Sequence, residues 1–213
     1  MPKKPPQLVF DLAATELKRH GFTPVASKKW FLRRRDRRTD LFQLNVLRYA
    51  PSWIICPCAA VRFDEVEDIF HRTSGFMPEF HKGTDTVGIE MWRDYGDEYR
   101  IRINEPYQAQ DVTDRVLQSF HDIADPYFAK FNGLKAVDSA LNNHPTERCI
   151  DQIEPFFRCT HGLIVAKLTA RSNYDELVST YRGIMEKYMG GPRLPEFESL
   201  VLDLRGMKSA SNP

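Results

Sequence analysis

Seven cationic side chains stand in the eleven residues from Lys28 to Arg38, KKWFLRRRDRR, around the apolar triplet Trp30, Phe31 and Leu32. Cations beside aromatic rings can track a phosphate backbone and stack on bases, which is the chemistry of a nucleic-acid grip. The same composition suits the exposed tip of a hairpin in an ordinary domain. A second concentration has the opposite sign, because residues 62–99 hold ten acidic side chains against four basic ones. Within it, Asp64, Glu65 and Asp68, with Glu90, Asp94 and Asp97 further on, offer an acidic surface that would meet a basic protein partner and steer its approach. A third group is titratable. His71 and His81 flank a Gly-Phe-Met-Pro loop near Asp68, Glu79 and Asp85, where a metal ion or an acid–base pair can be drawn; the plainer reading is a set of solvated loop residues.

No motif gives these groups a reaction. The chain has no phosphate loop, no Gly-x-Gly-x-x-Gly, no Gly-x-Ser-x-Gly nucleophile elbow and no His-Glu-x-x-His. Cys56 and Cys58 lie in the apolar run WIICPCAAV and Cys149 and Cys159 ten residues apart, whereas a zinc site prefers wider pairs in polar, turn-forming surroundings. They read as buried thiols. Asp64, Glu65, Glu67 and Asp68 follow the solvent face of a helix and supply no cation-binding loop, and His161 before Gly162 reads as a helix-start residue. The expectation is a non-enzymatic chain with no metal and no cofactor.

Composition sets the frame for that expectation. The chain has 213 residues, 42% hydrophobic and 12% aromatic, with a net charge of +1, which is ample for a core and gives no overall bias toward nucleic acid. The average hides a polarity: residues 1–50 are net +8 and residues 51–213 net −7. No apolar run approaches a membrane span and MPKKPPQLVF lacks the core of a secretion signal, so the expected setting is cytoplasmic, with no membrane contact.

The elements that must position these residues follow from periodicity. Leu8, Val9, Leu12, Ala13 and Leu17 predict a helix from Gln7 to His20, once the leader's prolines are passed, and Gly21 ends it. WFLRR and LFQLNVLRY predict a hairpin about the turn DRRTD, with Phe42, Leu44 and Val46 on one face; in the first strand Trp30 and Leu32 are placed toward the core. WIICPCAAVRF is apolar on both faces and reads as a central strand, with Pro57 demanding a bulge or an edge position. FDEVEDIFHRT predicts a short acidic helix. TVGIEMW and EYRIRI predict a second hairpin turning at RDYGDE. After Pro106 the pattern is helical: residues 111–131 with a break or kink at Pro126, then LKAVDSALNNHP, IDQIEPFF, a buried HGLIVAKLTA, and PEFESLVLDL at the end. The clearest helix is SNYDELVSTYRGIMEKYMGG, with Asp175 and Glu176 at its start and Gly190-Gly191 at its end.

Strands early and helices late predict an α+β fold: an antiparallel sheet of about five strands with an N-terminal helix and a C-terminal helical cap. The expected division is a sheet-bearing half, 7–131, and a helical half, 132–206, packed as one unit between flexible ends at 1–6 and 207–213. LAATELKRHGF, KKWFLRRR, DLFQLNVLRY and, far downstream, HGLIVAKLTARSNYDELVSTYR together resemble the bacterial domain-of-unknown-function family numbered 4304 and its relatives. The resemblance covers Gln7 to about Asn45 and His161 to Leu204. It implies a binding module, such as an immunity-type protein that neutralises a toxin, and transfers no catalytic residue. The leading functional reading is therefore a protein-binding module using the acidic residues named above. The alternative is a nucleic-acid binder using the turn residues Arg34, Arg35, Arg37 and Arg38.

Overall fold

The leader's prolines open the first helix instead of delaying it. In the computed structural model, which describes residues 3–207, α1 spans Pro5–Arg19 with both prolines in its first turn. The amides there have no helical partner in any case, and a fixed φ favours the helix. Pro5 and Pro6 thus leave the expected flexible leader, while residues 1–2 and 208–213 of the expected flexible ends lie outside the described residues. The chain continues through β1 (Thr23–Val25), β2 (Trp30–Arg35), β3 (Arg38–Tyr49), β4 (Ser52–Phe63), α2 (Asp64–Thr73), β5 (Val87–Glu90), α3 (Met91–Asp94) and β6 (Ile101–Ile103). Six helices follow, α4 (Ala109–Ser119), α5 (Asp125–Lys130), α6 (Leu134–Asn142), α7 (Pro155–Leu168), α8 (Tyr174–Lys187) and α9 (Leu194–Gly206). The architecture is α+β with an open antiparallel sheet, as the element order predicts.

The residues group into two compact units: one runs up to Val61 and resumes at Gly88–Lys130, and the other combines Arg62–Val87 with the residues from Phe131 onward. Residues 62–87 of the acidic segment thus group with the late helices, whereas 88–99 stay with the sheet.

In the first unit β2 and β3 pair from Trp30↔Gln43 to Arg35↔Arg38 around a two-residue turn, and Asp36 takes a left-handed φ of 50° there. The facing of β2 differs from expectation. Phe31, with no exposed surface, stacks on Phe10 at 4.6 Å, while Trp30 and Leu32 are half-buried on the other face. Period-two alternation places residues on alternating faces but does not say which face meets the helix. The central strand is β4, as predicted. Pro57 sits within it, not at an edge, between the stretch Trp53–Ile55 that pairs with β6 and the alanines at 59 and 60 that lie against Gly88.

The second hairpin does not form. Asp94 accepts a hydrogen bond from the Glu90 N–H at 3.1 Å and closes a helical turn, so β5 and β6 each pair with β4 instead of with one another. Farther on, a π-helical turn at Phe120–Ala124 separates α4 from α5 just before Pro126, which has no N–H to continue an α-helical ladder.

The second unit is helical. The two helices predicted around residues 151–170 are one, α7, begun by Pro155 and capped by Glu154, whose carboxylate accepts the Phe157 N–H at 2.9 Å. Gly162 marks a close approach on this helix: a Cβ there would stand 2.7 Å from Asn142 Oδ1 and 3.0 Å from a Tyr181 ring carbon. Asn142 is held by Asp138, the Gly162 carbonyl and the Tyr181 hydroxyl, so it cannot yield. Gly162→Ala is expected to cost about 2 kcal/mol of stability by overpacking, read from the midpoint of urea unfolding. An unchanged midpoint would show that α6 and α8 can move apart.

Candidate functional site

Hairpin cations in the first unit divide as strand alternation requires. Arg33 and Arg38 turn inward onto the fully buried Asp40, at 2.9 Å and 2.6 Å, and Arg38 also donates to the Phe128 carbonyl. The Arg33 guanidinium lies over the Phe22 ring at 4.7 Å and reaches Asp125 at 3.4 Å. Lys28 sits over the Trp30 ring, and Lys29 bonds Gln7 and covers Phe10. Arg34, Arg35 and Arg37 are exposed, whereas Arg38 is buried, so the four turn arginines named on sequence do not form one surface. Arg35 is 4.0 Å from Asp40 as well.

The six acidic residues named on sequence fall in both units, and several are answered by an arginine of their own. Arg62 holds Asp64 at 2.8 Å, Arg93 holds Glu90 and Asp94 at 3.2 and 2.8 Å, and Arg100 reaches Asp97 at 3.4 Å. The Asp94 side chain is buried. Glu65 is half-buried and Asp68 exposed. Local neutralisation on this scale leaves less of a continuous acidic face than the sequence implies.

A different site is assembled within the second unit, from residues that the sequence reading took as solvated. Glu67, on the inner side of α2, is fully buried and accepts hydrogen bonds from two threonine hydroxyls, Thr84 on Oε2 and Thr86 on Oε1, both at 2.7 Å. Arg62 stands 3.8 Å from the same carboxylate. His71 reaches Thr84 Oγ1 at 2.8 Å through Nε2 and Ser74 Oγ at 3.0 Å through Nδ1, and its ring stacks on that of His81 at 3.9 Å. The Thr84 proton goes to Glu67, so His71 Nε2 is the donor and Nδ1 accepts from Ser74. His81 in turn donates Nε2–H to the Phe76 carbonyl at 2.9 Å.

His161 lies in the middle of α7, not at its start. It is fully buried against the Phe70 and Phe157 rings and places Nε2 3.6 Å from Glu67 Oε1. Among the described residues no three His, Cys, Asp or Glu side chains are placed to hold a metal ion. The four cysteines are buried free thiols; burial pushes Cys159 up to about 12, which keeps it unreactive.

In front of this network opens a cavity of about 370 Å³ lined by Phe76, Gly83, Thr84, Asp85, Gln152, Glu154 and Phe157. Glu154 caps α7 and accepts a hydrogen bond from the Tyr188 hydroxyl, so its carboxylate is fixed. Asp85 is held only by its own backbone amide. Desolvation first, and the neighbouring Glu67 charge second, push its carboxyl up from 3.8 to about 7, against the opposing pull of Arg62. His71 moves the other way, down to about 4, chiefly through burial and the His81 ring beside it. Near pH 7 His71 is neutral and Asp85 is about half ionised. Shifted groups on a cavity mark a functional site, and a half-buried carboxyl at its tipping point can hold a proton or exchange it for another cation.

Sequence reading placed His71, His81 and Asp85 together but missed Glu67, His161, Gln152 and Glu154. The one available signal was the carboxylate among four that falls on the apolar side of α2, beside Val66 and Phe70. Comparison of the chain with protein-family models, with curated proteins and with solved structures returned no match, so the site stands on its own geometry.

Proposed function

We propose that the protein is a binding module, not an enzyme, and that its ligand presents a positively charged group to the cavity of the second unit. Asp85 carries this reading, as a carboxyl without an ion pair in a hollow walled by Phe76 and Phe157 and shared with Glu154 and Gln152. Aromatic faces and a carboxylate are the common means of holding an ammonium or guanidinium group. Phe76 already attracts one such group, since the Arg193 guanidinium lies 5.8 Å from its ring centroid. Toxin neutralisation, implied by the family resemblance, is one case of this reading. The nucleic-acid alternative has less support, because Arg33 and Arg38 are turned onto Asp40 and do not face a phosphate backbone.

Binding a cation favours the ionised form of Asp85, so it releases a proton and tightens as pH rises through the carboxyl's value of about 7. With arginine amide as probe, affinity is expected to be about tenfold higher at pH 8 than at pH 6, in step with the fraction of Asp85 ionised. Carboxyl-carbon NMR titration of Asp85 with and without the probe checks this. A titration curve that arginine amide leaves in place removes the reading.

A further inference from the structure

We infer that the natural occupant of this cavity is a lysine or arginine side chain on an exposed, apolar-flanked segment of another protein, a step that rests on the cation-binding reading above. The segments that line the cavity also carry exposed apolar side chains, which form its rim in this reading. Met77 follows Phe76, Phe80 precedes Gly83, and Ile153 sits between Gln152 and Glu154, with Ile150 two residues before Gln152. These four are 55%, 53%, 44% and 44% exposed, and they are four of the ten large hydrophobic side chains exposed among the described residues. A free amine would fill the hollow and leave that rim in water. A polypeptide that inserts one basic side chain covers it, giving the anchor-and-rim arrangement of a protein interface.

Size and charge agree. A cavity of about 370 Å³ lies at the small end of ligand pockets, suited to one side chain more than to a whole cofactor. The charged residues in the cavity lining are Asp85 and Glu154, both acidic, which complement a basic side chain and not a phosphate.

The test uses the full chain and three probes: arginine amide, an acetylated Ala-Leu-Arg-Leu-Ala peptide, and vesicles of phosphatidylcholine. The peptide is expected to bind about tenfold tighter than arginine amide, the gain that removing about 55 Å² of apolar surface from water supplies. The double variant Met77→Ser, Phe80→Ser should lose that gain and keep both the arginine amide affinity and the Asp85 titration. Exposed positions of this kind change stability little, and an unchanged urea midpoint confirms the fold. A peptide no tighter than arginine amide, or chain that sediments with the vesicles instead, overturns the inference while the cavity reading stands. Failure of both peptide and arginine amide to move the Asp85 titration removes both.

Discussion

Asp85→Asn is expected to stabilise the chain by about 3 kcal/mol at pH 8 and to leave it within about 0.5 kcal/mol at pH 4. A carboxyl whose folded value is raised from 3.8 to about 7 binds its proton more tightly folded than unfolded. Its contribution is intact below the unfolded value, is lost progressively as pH rises from about 4 to 7, and stays lost above that. The full shift corresponds to about 4 kcal/mol, and solvent reaching this half-buried side chain reduces it to about 3.

Asparagine keeps the shape and carries no charge to desolvate. His71 makes the comparison sharper. Its value, lowered from 6.5 to about 4, means that folded stability is present above 6.5 and is lost as pH falls to 4, by about 3 kcal/mol. In the native chain the two slopes oppose each other between pH 4 and 6.5. In Asp85→Asn only the histidine slope remains, so stability should fall on acidification across that window. Urea unfolding at pH 4, 6 and 8 reads both effects, and an equal stability change at all three would show that Asp85 titrates normally. A gain in stability on removing an ionisable group is the usual mark of a residue kept for function.

Glu67→Ala is expected to cost about 3–5 kcal/mol, the loss seen when one partner of a buried charge network is removed. The Thr84 and Thr86 hydroxyls would lose their acceptor, and the Phe63 N–H that bonds Thr86 would lose the anchor of that threonine. Glu67→Gln separates structure from electrostatics. The amide can still accept one threonine hydroxyl, and Thr84 has an alternative acceptor in the His81 carbonyl at 3.1 Å, so most stability should survive. The Glu67 charge raises both Asp85 and His71, so in Glu67→Gln both should titrate lower than in the native chain. Paired carboxyl-carbon and imidazole NMR titrations check this. If neither value moves, Glu67 does not set the charge of the cavity.

Local structure was legible wherever one element's own spacing carried the signal. The stripe of α8 from Leu177 to Met185 is buried as its period demands, and Gly191 ends the turn after it in a left-handed φ of 89°. The β2–β3 hairpin forms at the turn its polar residues mark. Errors arose where a local pattern admits two outcomes. Alternation at Val87, Ile89 and Met91 fits a hairpin or a strand docked on β4, and a single side-chain cap from Asp94 decides for the second. The predicted helices IDQIEPFF and HGLIVAKLTA are joined through Arg158, Cys159 and Thr160, and the single helix begins at Pro155 because a proline in the first turn suits a helix.

By itself the sequence determined the α+β class, the β2–β3 hairpin and the late helices, because hydrophobic period and turn chemistry act over a few neighbouring residues. Only the tertiary structure decided the site. Glu67 and His161 approach to 3.6 Å from distant parts of the chain, and burial turns His71 and Asp85 from ordinary surface groups into shifted ones. Period reports the face on which a side chain lies. What that face meets, and how much water remains there, depends on long-range packing, and the shifts of Asp85 and His71 follow from it.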